Sequence, residues 1–566
     1  MADVSPTRKD ESRTLSWQQS LAVYLERRTL VMLGLGFASG LPFWLIFDTL
    51  SAWLRTVGLS LNVIAFFSLA TLAYAFKFLW APLVDRAQIP GLGRILGHRR
   101  SWMLVMQGLI MVALVLIAVT DPVANLSLTA LLAVLTGFTG ATQDIVMDAW
   151  RIEAGDERDQ GAMLASYQWG HRIAYITAGA APLFLADAFN WSVSYFAMAA
   201  LMTIGVAAVL LAPRERAHEV RPIPRIAGEA APWRERLEWA IRLAILFVGA
   251  LILGSGLSAQ VGLIASVLPT ESADTLRAAW AARPGGVFLQ LGAVIIGFAF
   301  IVACAWPLPG KPTQPGYFLS HVFGEPLGDF FKRFGKAAGL ILTVICFYRI
   351  SEFVLNIMNP FYLDLGFTLT QIAEVRKIYG VILSLIGIFA GGYAIAKWGV
   401  MRCLVTGAII APLSNLMFVW LSTQGPDVTA LILTLGVNNI CQSFAGTCLL
   451  AYMSSLTSMG FTATQYALFS SLYALPDKFI ATQSGRIVDA AARSAEEGGL
   501  FAPFKTFFTT MSPDNLTTGA ARMGIAPAAL GAGYFAFFLY TCLLGLLVVP
   551  LTVIAKRRAE LSQPRN

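Results

Sequence analysis

Apolar runs long enough to cross a bilayer follow one another almost end to end along this chain, separated by short polar turns. A spanning helix needs about 20 predominantly apolar residues. Such runs fall at 30–54, 61–84, 102–120, 127–151, 161–186 and 192–212. After a polar, proline-containing segment, Arg214–Arg236, two more occur at 237–268 and 287–308, followed by a second linker, Pro309–Lys336. Six further runs lie at 337–362, 370–397, 403–422, 428–455, 464–492 and 527–555, so the pattern predicts an all-α membrane protein with fourteen transmembrane helices.

The division into six, two and six suggests a duplicated half with an insertion. Gly58-Leu59-Ser60-Leu61-Asn62-Val63-Ile64-Ala65 matches Gly366-Phe367-Thr368-Leu369-Thr370-Gln371-Ile372-Ala373 at the start of the second helix of each half. Gln160, Ala162 and Ser166 correspond to Gln465, Ala467 and Ser471, and the fourth helices carry Gln143 and Gln442 at similar depth. Two six-helix halves related by parallel repetition form the architecture of the major facilitator superfamily, in which substrate and coupling ions bind near the midplane between halves. The expected organisation is an N-terminal segment, 1–29; a first half, 30–212; a central linker with two extra helices, 213–336; a second half, 337–555; and a tail, 556–566.

Composition agrees with the membrane reading: 57% of residues are hydrophobic and 13% charged, against about 25% charged in an ordinary soluble domain. The net charge of +8 is distributed by topology. Basic residues gather at Arg8–Arg28, Arg86–Arg100, Arg214–Arg236, Lys332–Lys336 and Lys556–Arg558, while the turns near Asp121-Pro122, Asp187–Trp191 and Gln424–Asp427 have none. That alternation follows the positive-inside rule and argues against nucleic acid as the reason for the basic excess; an even number of crossings then puts both termini in the cytoplasm. The polar stretch before the first apolar run is too long for a cleaved signal peptide, so the first helix is expected to act as an uncleaved one. The six cysteines lie mostly inside apolar runs without paired or metal-ligand spacing and read as packing residues. No phosphate-binding glycine loop, metal motif or nucleophile elbow is visible, so no catalytic residue, metal or cofactor beyond a proton gradient is expected.

Ionisable residues inside apolar runs are functional candidates by default. The most informative stretch is Thr142–Arg151, where Asp144, Asp148 and Arg151 share one helical face. A proton-coupled carrier needs a carboxylate that gains and loses a proton, and desolvation or a like-charged neighbour promotes protonation. Asp144, with Asp148 as second candidate, meets these conditions; the alternative is that Asp148 and Arg151 form a structural pair while Asp144 crosslinks a neighbouring helix. Lys77, in Tyr74–Trp80, has Asp144 or a substrate carboxylate as candidate partner. Substrate contacts are further expected from Tyr74 and Gln143, from Gln168 and Tyr175 in the fifth helix, and from Arg349, Glu352 and Asn356 in the seventh. Asn438, Asn439 and Gln442 in the tenth form an amide cluster suited to N-acetyl and hydroxyl groups or to interhelical hydrogen bonding. Asp477 and Lys478, after Pro476, are expected to interrupt the eleventh helix. Between the second and third helices, Asp85-Arg86 followed by Gly97-His98-Arg99-Arg100 has the general form of the superfamily's cytoplasmic signature; these residues read as a latch between halves or as headgroup anchors, with Arg151 as a further gating element. Phe501–Phe508 and Pro513–Asn515 form an amphipathic stretch suited to a membrane surface.

The motifs Ser39-Gly40-Leu41-Pro42, Tyr74–Arg86 and Ala141–Trp150 together resemble the anhydromuropeptide permease family; in the second half the resemblance rests on Ile440–Gln442 and Leu475-Pro476-Asp477-Lys478. The resemblance implies a monomeric transporter of the bacterial inner membrane. It would import N-acetylglucosaminyl-anhydro-N-acetylmuramyl peptides with protons for peptidoglycan recycling, and these fragments also signal for β-lactamase induction. The competing class is a membrane-embedded flippase or transferase acting on a lipid-linked saccharide. Internal duplication and the Asp85-Arg86/Gly97–Arg100 loop favour the importer.

Overall fold

A computed structural model of the chain describes residues 22–58, 72–155, 159–214, 232–258, 261–265, 268–282, 285–305, 313–481, 484–508 and 516–562. The described residues are helical throughout, with no strand among them. The first half comprises α1 (Arg27–Thr56), α2 (72–86), α3 (His98–Val119), α4 (Leu126–Ala154), α5 (Gln160–Ala188) and α6 (Trp191–Leu211). The insertion holds α7 (Pro232–Ser258), α8 (Thr270–Ala281), α9 (Gly285–Ala305) and α10 (Gln314–Phe334). The second half follows as α11 (338–365), α12 (369–398), α13 (Val400–Ser422), α14 (Val428–Ser455), α15 (Thr462–Ala481), α16 (Ser484–Glu496) and α17 (Pro527–Arg557).

Ten helices among the described residues are long and apolar enough to cross a membrane. The count of fourteen is therefore not reproduced by length and composition alone; four of the expected segments differ, two of them because they run partly outside the described residues. Part of 61–84 lies outside the described residues. The helix predicted at 161–186 is present at full length as α5, but it carries Gln168, His171 and Arg172 toward its neighbours instead of lipid. The apolar part of α9 is short, Phe288–Cys304. The run 464–492 contains α15 and part of α16, whose junction at 482–483 is outside the described residues.

Two other expectations change. Pro309–Lys336, read as a linker, contains the 21-residue helix α10, whose first turn is capped by the Thr313 hydroxyl accepting from Gly316 N. Prolines and glycines there suggested a loop, but Pro315 occupies the first turn, where no amide donor is required. Pro476 does not interrupt α15, which continues to Ala481; a proline removes one backbone donor, and packed membrane helices tolerate that loss. Phe501–Phe508 includes the turn Ala502–Phe508, with Phe508 buried and Phe507 stacked on Phe535 of α17 at 5.2 Å. Pro513–Asn515 is outside the described residues.

The repeat has structural counterparts. Gly58 and Gly366 both adopt positive φ, 86° and 99°, a conformation that favours glycine where one helix ends before the next. Gln160 and Gln465 both fold back on the preceding loop: Gln160 donates to the carbonyls of Arg151 and Gly155 at 3.1 Å, and Gln465 accepts from Ser458 N at 2.8 Å. Buried side chains of α1–α6 form one core, joined by Ala463 and Ala467 of α15, while the second half has two principal cores.

Within the first half α1 and α5 are in backbone contact. A Cβ on Gly170 would strike Leu33 O and Phe37 N, and one on Gly36 would strike the Tyr167 backbone. Gly170→Val is expected to lower unfolding stability by about 2 kcal/mol or more, measured by thermal unfolding of the purified protein. Gly108→Ala, whose added methyl meets nothing within 4 Å, should leave it unchanged.

Candidate functional site

The junction between halves is built from charges and hydroxyls on α1, α2, α4 and α5, meeting α14 and α15. On α4, Asp144 is half-buried and Asp148 buried, one helical turn nearer the basic loops. Ser39 of α1 donates to Asp144 Oδ1 at 2.6 Å; Tyr167 of α5 lies 2.7 Å from Ser39 Oγ and donates to the same carboxylate oxygen at 3.4 Å. Hydroxyls donate and accept, so Ser39 and Tyr167 can serve either protonation state of Asp144. Among the described residues no cation lies within 4 Å of Asp144, although it interacts electrostatically with Lys77.

Lys77 instead lies 3.9 Å from Asp148 Oδ2, which corrects the expectation of Asp144 as its internal partner. The reason is the 3-10 turn Lys77–Leu79, which re-aims the helix at that point. Arg151, fully buried, continues the chain: its guanidinium lies 3.5 Å from Asp148 Oδ1, donates to Gln160 Oε1 and Ser454 Oγ at 3.0 Å each, and sits 5.4 Å from the ring centre of Tyr466. Ser454 and Tyr466 belong to the second half, so one buried arginine ties both halves to the Asp148–Lys77 pair.

A second junction lies at the basic loops. Asp85 pairs with Arg99 at 2.7 Å, and Arg99 also holds Glu153 at 2.7 Å. The Asp85 carboxylate also accepts from Ala463 N, Thr464 N and Thr464 Oγ1 at 3.2, 2.8 and 2.6 Å, so an aspartate of the first half caps α15 of the second. The expected Asp85-Arg86 unit is thus divided, because adjacent residues on a helix face different directions. Arg86 turns to α10, donating to His321 O and Glu325 at 2.9 Å. Arg100 donates to the carbonyls of Val209 and Leu210 at 3.1 Å, closing the end of α6. Further ties between halves run from Gln168 to Thr447 Oγ1 at 3.0 Å and from Trp169 to Leu385 O at 3.0 Å. Gly161 and Gly392 touch backbone to backbone: a Cβ on either would lie 2.7–2.8 Å from the other's carbonyl oxygen. Among the described residues these contacts join the two halves on this side.

The other candidates make contacts within and between the helices of the two halves. Arg349 pairs with Glu352 and lies 5.6 Å from the ring centre of Tyr473, and both interact electrostatically with Arg172 of the first half. Tyr74 and Tyr175 join rings on α1, at 5.0 Å from Phe43 and 4.5 Å from Trp44 respectively. Gln143 of α4 donates to Ala38 O of α1 at 2.8 Å, whereas Gln442 of α14 donates to Ala411 O of α13 at 3.2 Å, so the two glutamines tie different helix pairs. Asn438 donates to Ser414 and Asn415 at 3.0 and 3.1 Å, and Asn439 accepts from Ser384 at 3.1 Å, so this amide cluster bonds within the second half. The side chains of Asn356, Asp477 and Lys478 lie outside the described residues. Sequence reasoning missed Ser39, Tyr167, Glu153 and Thr464; Ser39 lies inside the Ser39-Gly40-Leu41-Pro42 motif and Tyr167 beside Gln168, but nothing in one sequence shows two hydroxyls converging on a third helix.

The Major Facilitator Superfamily model matches residues 30–306. The anhydromuropeptide permease of Escherichia coli K12 is 28% identical over 475 residues, covering 83% of this chain and 76% of the relative. A Rickettsia felis protein bearing the name AmpG 4 is 27% identical over 470 residues, 82% of this chain and 91% of the relative.

Asp85→Ala removes the cap from α15 and one of the carboxylates holding Arg99. Hydrogen–deuterium exchange of the peptide containing Ala463 and Thr464 is expected to quicken about tenfold or more, with peptides from α13, which does not touch Asp85, exchanging as before.

Proposed function

Starting from an anhydromuropeptide-permease-like protein with the all-helical transporter fold of the major facilitator superfamily, we propose that this chain imports N-acetylglucosaminyl-anhydro-N-acetylmuramyl peptides together with protons. It would do so across the bacterial inner membrane by alternating access, with both termini cytoplasmic. The moving bodies are the halves 30–212 and 337–555, with 213–336 as the insertion. The observation that carries the reading is the arrangement around Asp144: a carboxylate held by two hydroxyls, with no cation in contact among the described residues, one turn from a paired Lys77–Asp148–Arg151 chain that reaches the second half.

Charge supports an anionic, peptide-bearing cargo. Lys77, Arg151, Arg172 and Arg349 outnumber Asp144, Asp148 and Glu352 at the junction by one, and protonation of Asp144 widens the excess. In the proposed cycle the proton and the cargo enter from the periplasmic side while the basic loops hold the cytoplasmic side closed. Neutral Asp144 leaves Lys77 to Asp148 and the cargo. Loss of the proton restores a second carboxylate competing for Lys77, which loosens the chain through Arg151 to Ser454 and favours opening to the cytoplasm. The relatives' substrate class and the superfamily's midplane binding support this reading.

The test is uptake of labelled anhydromuropeptide into energised vesicles. Asp144→Asn is expected to lose proton-driven accumulation at least tenfold while retaining exchange of labelled for unlabelled cargo, and wild-type uptake should collapse with a protonophore. Full accumulation by Asp144→Asn together with indifference to the protonophore contradicts the coupling. Lys77→Ala is expected to weaken cargo binding about tenfold, or about 1.4 kcal/mol; unchanged affinity and transport would remove Lys77 from the site.

A further inference from the structure

Beyond Asp144, on the side away from the basic loops, α1, α2 and α5 bring six rings together. Phe43 meets Trp44, Phe47 and Tyr74 at centroid distances of 5.0, 5.9 and 5.0 Å. Trp44 meets Tyr175 at 4.5 Å with planes tilted 59°, and His171 at 6.3 Å. His171 is in turn 6.5 Å from Tyr167, which bonds to Ser39, so the wall is continuous with the Asp144 hydroxyl pair. Trp44 follows Ser39 by five positions, about 7 Å of helical rise.

Three features separate this wall from ordinary core packing. Rings that merely fill a core are enclosed, whereas Phe43, Trp44, Tyr74 and Tyr175 are only half-buried and Phe47 is exposed. The wall also carries two polar atoms, Trp44 Nε1 and the Tyr74 hydroxyl, that are buried without a hydrogen-bond partner among the described residues. A buried indole or phenol normally finds an acceptor, so unmet donors converging on one wall point to a ligand that supplies oxygens. Finally, the backbone is shaped around it. Pro42 precedes a π-turn at Leu45–Thr49, a device found mostly at functional sites, and the Tyr74 hydroxyl lies over Gly140 where a Cβ would collide with it.

We propose that Trp44 and Tyr175, flanked by Phe43 and Tyr74, form a carbohydrate subsite on the first half. The apolar face of a pyranose ring lies against the tilted aromatic pair, and a turn of the Trp44 and Tyr74 side chains on binding presents Nε1 and the hydroxyl to ring-substituent oxygens. This rests on the muropeptide reading and divides its cargo: the saccharide is held by α1, α2 and α5, and the anionic peptide extends toward Lys77 and Arg172. Aromatic faces suit the saccharide because they match its C–H face without adding charge beside Asp144.

The experiment is isothermal titration of the purified full chain with the peptide-free N-acetylglucosaminyl-anhydro-N-acetylmuramic acid disaccharide and with the complete muropeptide. The wild type is expected to bind both. Trp44→Leu should weaken both at least tenfold and Trp44→Phe less, since stacking survives but the donor is lost; Tyr74→Phe should weaken both a few-fold without changing the unfolding temperature. Where Trp44→Leu does not fold, Tyr74→Phe and Tyr175→Leu decide by the same criterion. Folded variants that bind the disaccharide as the wild type does overturn the subsite, as does a wild type that binds muropeptide but not disaccharide. A wild type that binds neither overturns the muropeptide reading itself.

Discussion

A charge buried between two helical bundles inside a membrane must be paired or hydrogen-bonded, because neither lipid nor apolar side chains can solvate it. In this molecule that requirement organises the contact between halves. Arg99 is paired with Asp85 and Glu153, and Arg151 bonds to Asp148, Gln160 and Ser454. Each arrangement includes an atom from the opposite half: the α15 amides accept no other description than as donors to Asp85, and Ser454 is an acceptor for Arg151. Separating the halves on this side strips those partners away, so the charges both close the junction and make its opening dependent on new partners.

The rest of the site follows from what those charges leave over. Asp148 is engaged by Arg151 and Lys77, whereas among the described residues the side chains bonded to Asp144 are the hydroxyls of Ser39 and Tyr167. The polarity of α5 has the same origin: Tyr167 faces Asp144, Gln168 reaches Thr447 and Arg172 faces the Arg349–Glu352 pair, so a run long enough to span the bilayer spends its polar residues on contacts with other helices. The inserted helices pack against this machinery. Phe76 of α2 shares a small core with Leu253 and Ile301 of α7 and α9, and α10 reaches Arg86 through Glu325 and Gln465 through Asp329.

Much of the scaffold was legible in the sequence because a helix in lipid must satisfy its backbone internally and present apolar side chains outward. The runs at 102–120, 127–151 and 428–455 correspond closely to α3, α4 and α14. Asp144, Asp148 and Arg151 were legible as a set because their spacing alone places them on one helical face. Which partner each charge takes was not legible. Asp85 chose Arg99 over its neighbour Arg86, and Lys77 chose Asp148 over Asp144, since contacts between helices depend on depth and rotation that one sequence does not state. Ser39 and Tyr167 were hidden for another reason: hydroxyls are ordinary in membrane helices, and only their convergence on Asp144 distinguishes them.

The central claim is that Asp144 takes up a proton when cargo binds. Proton exchange on binding can be read directly, by adding anhydromuropeptide to purified protein in weakly buffered solution with a pH indicator. The account predicts net proton uptake by the wild type across mildly acidic to neutral pH, and none by an Asp144→Asn variant that still binds cargo. Equal uptake by both proteins, or binding by the wild type with no proton exchange at any pH in that range, would contradict it.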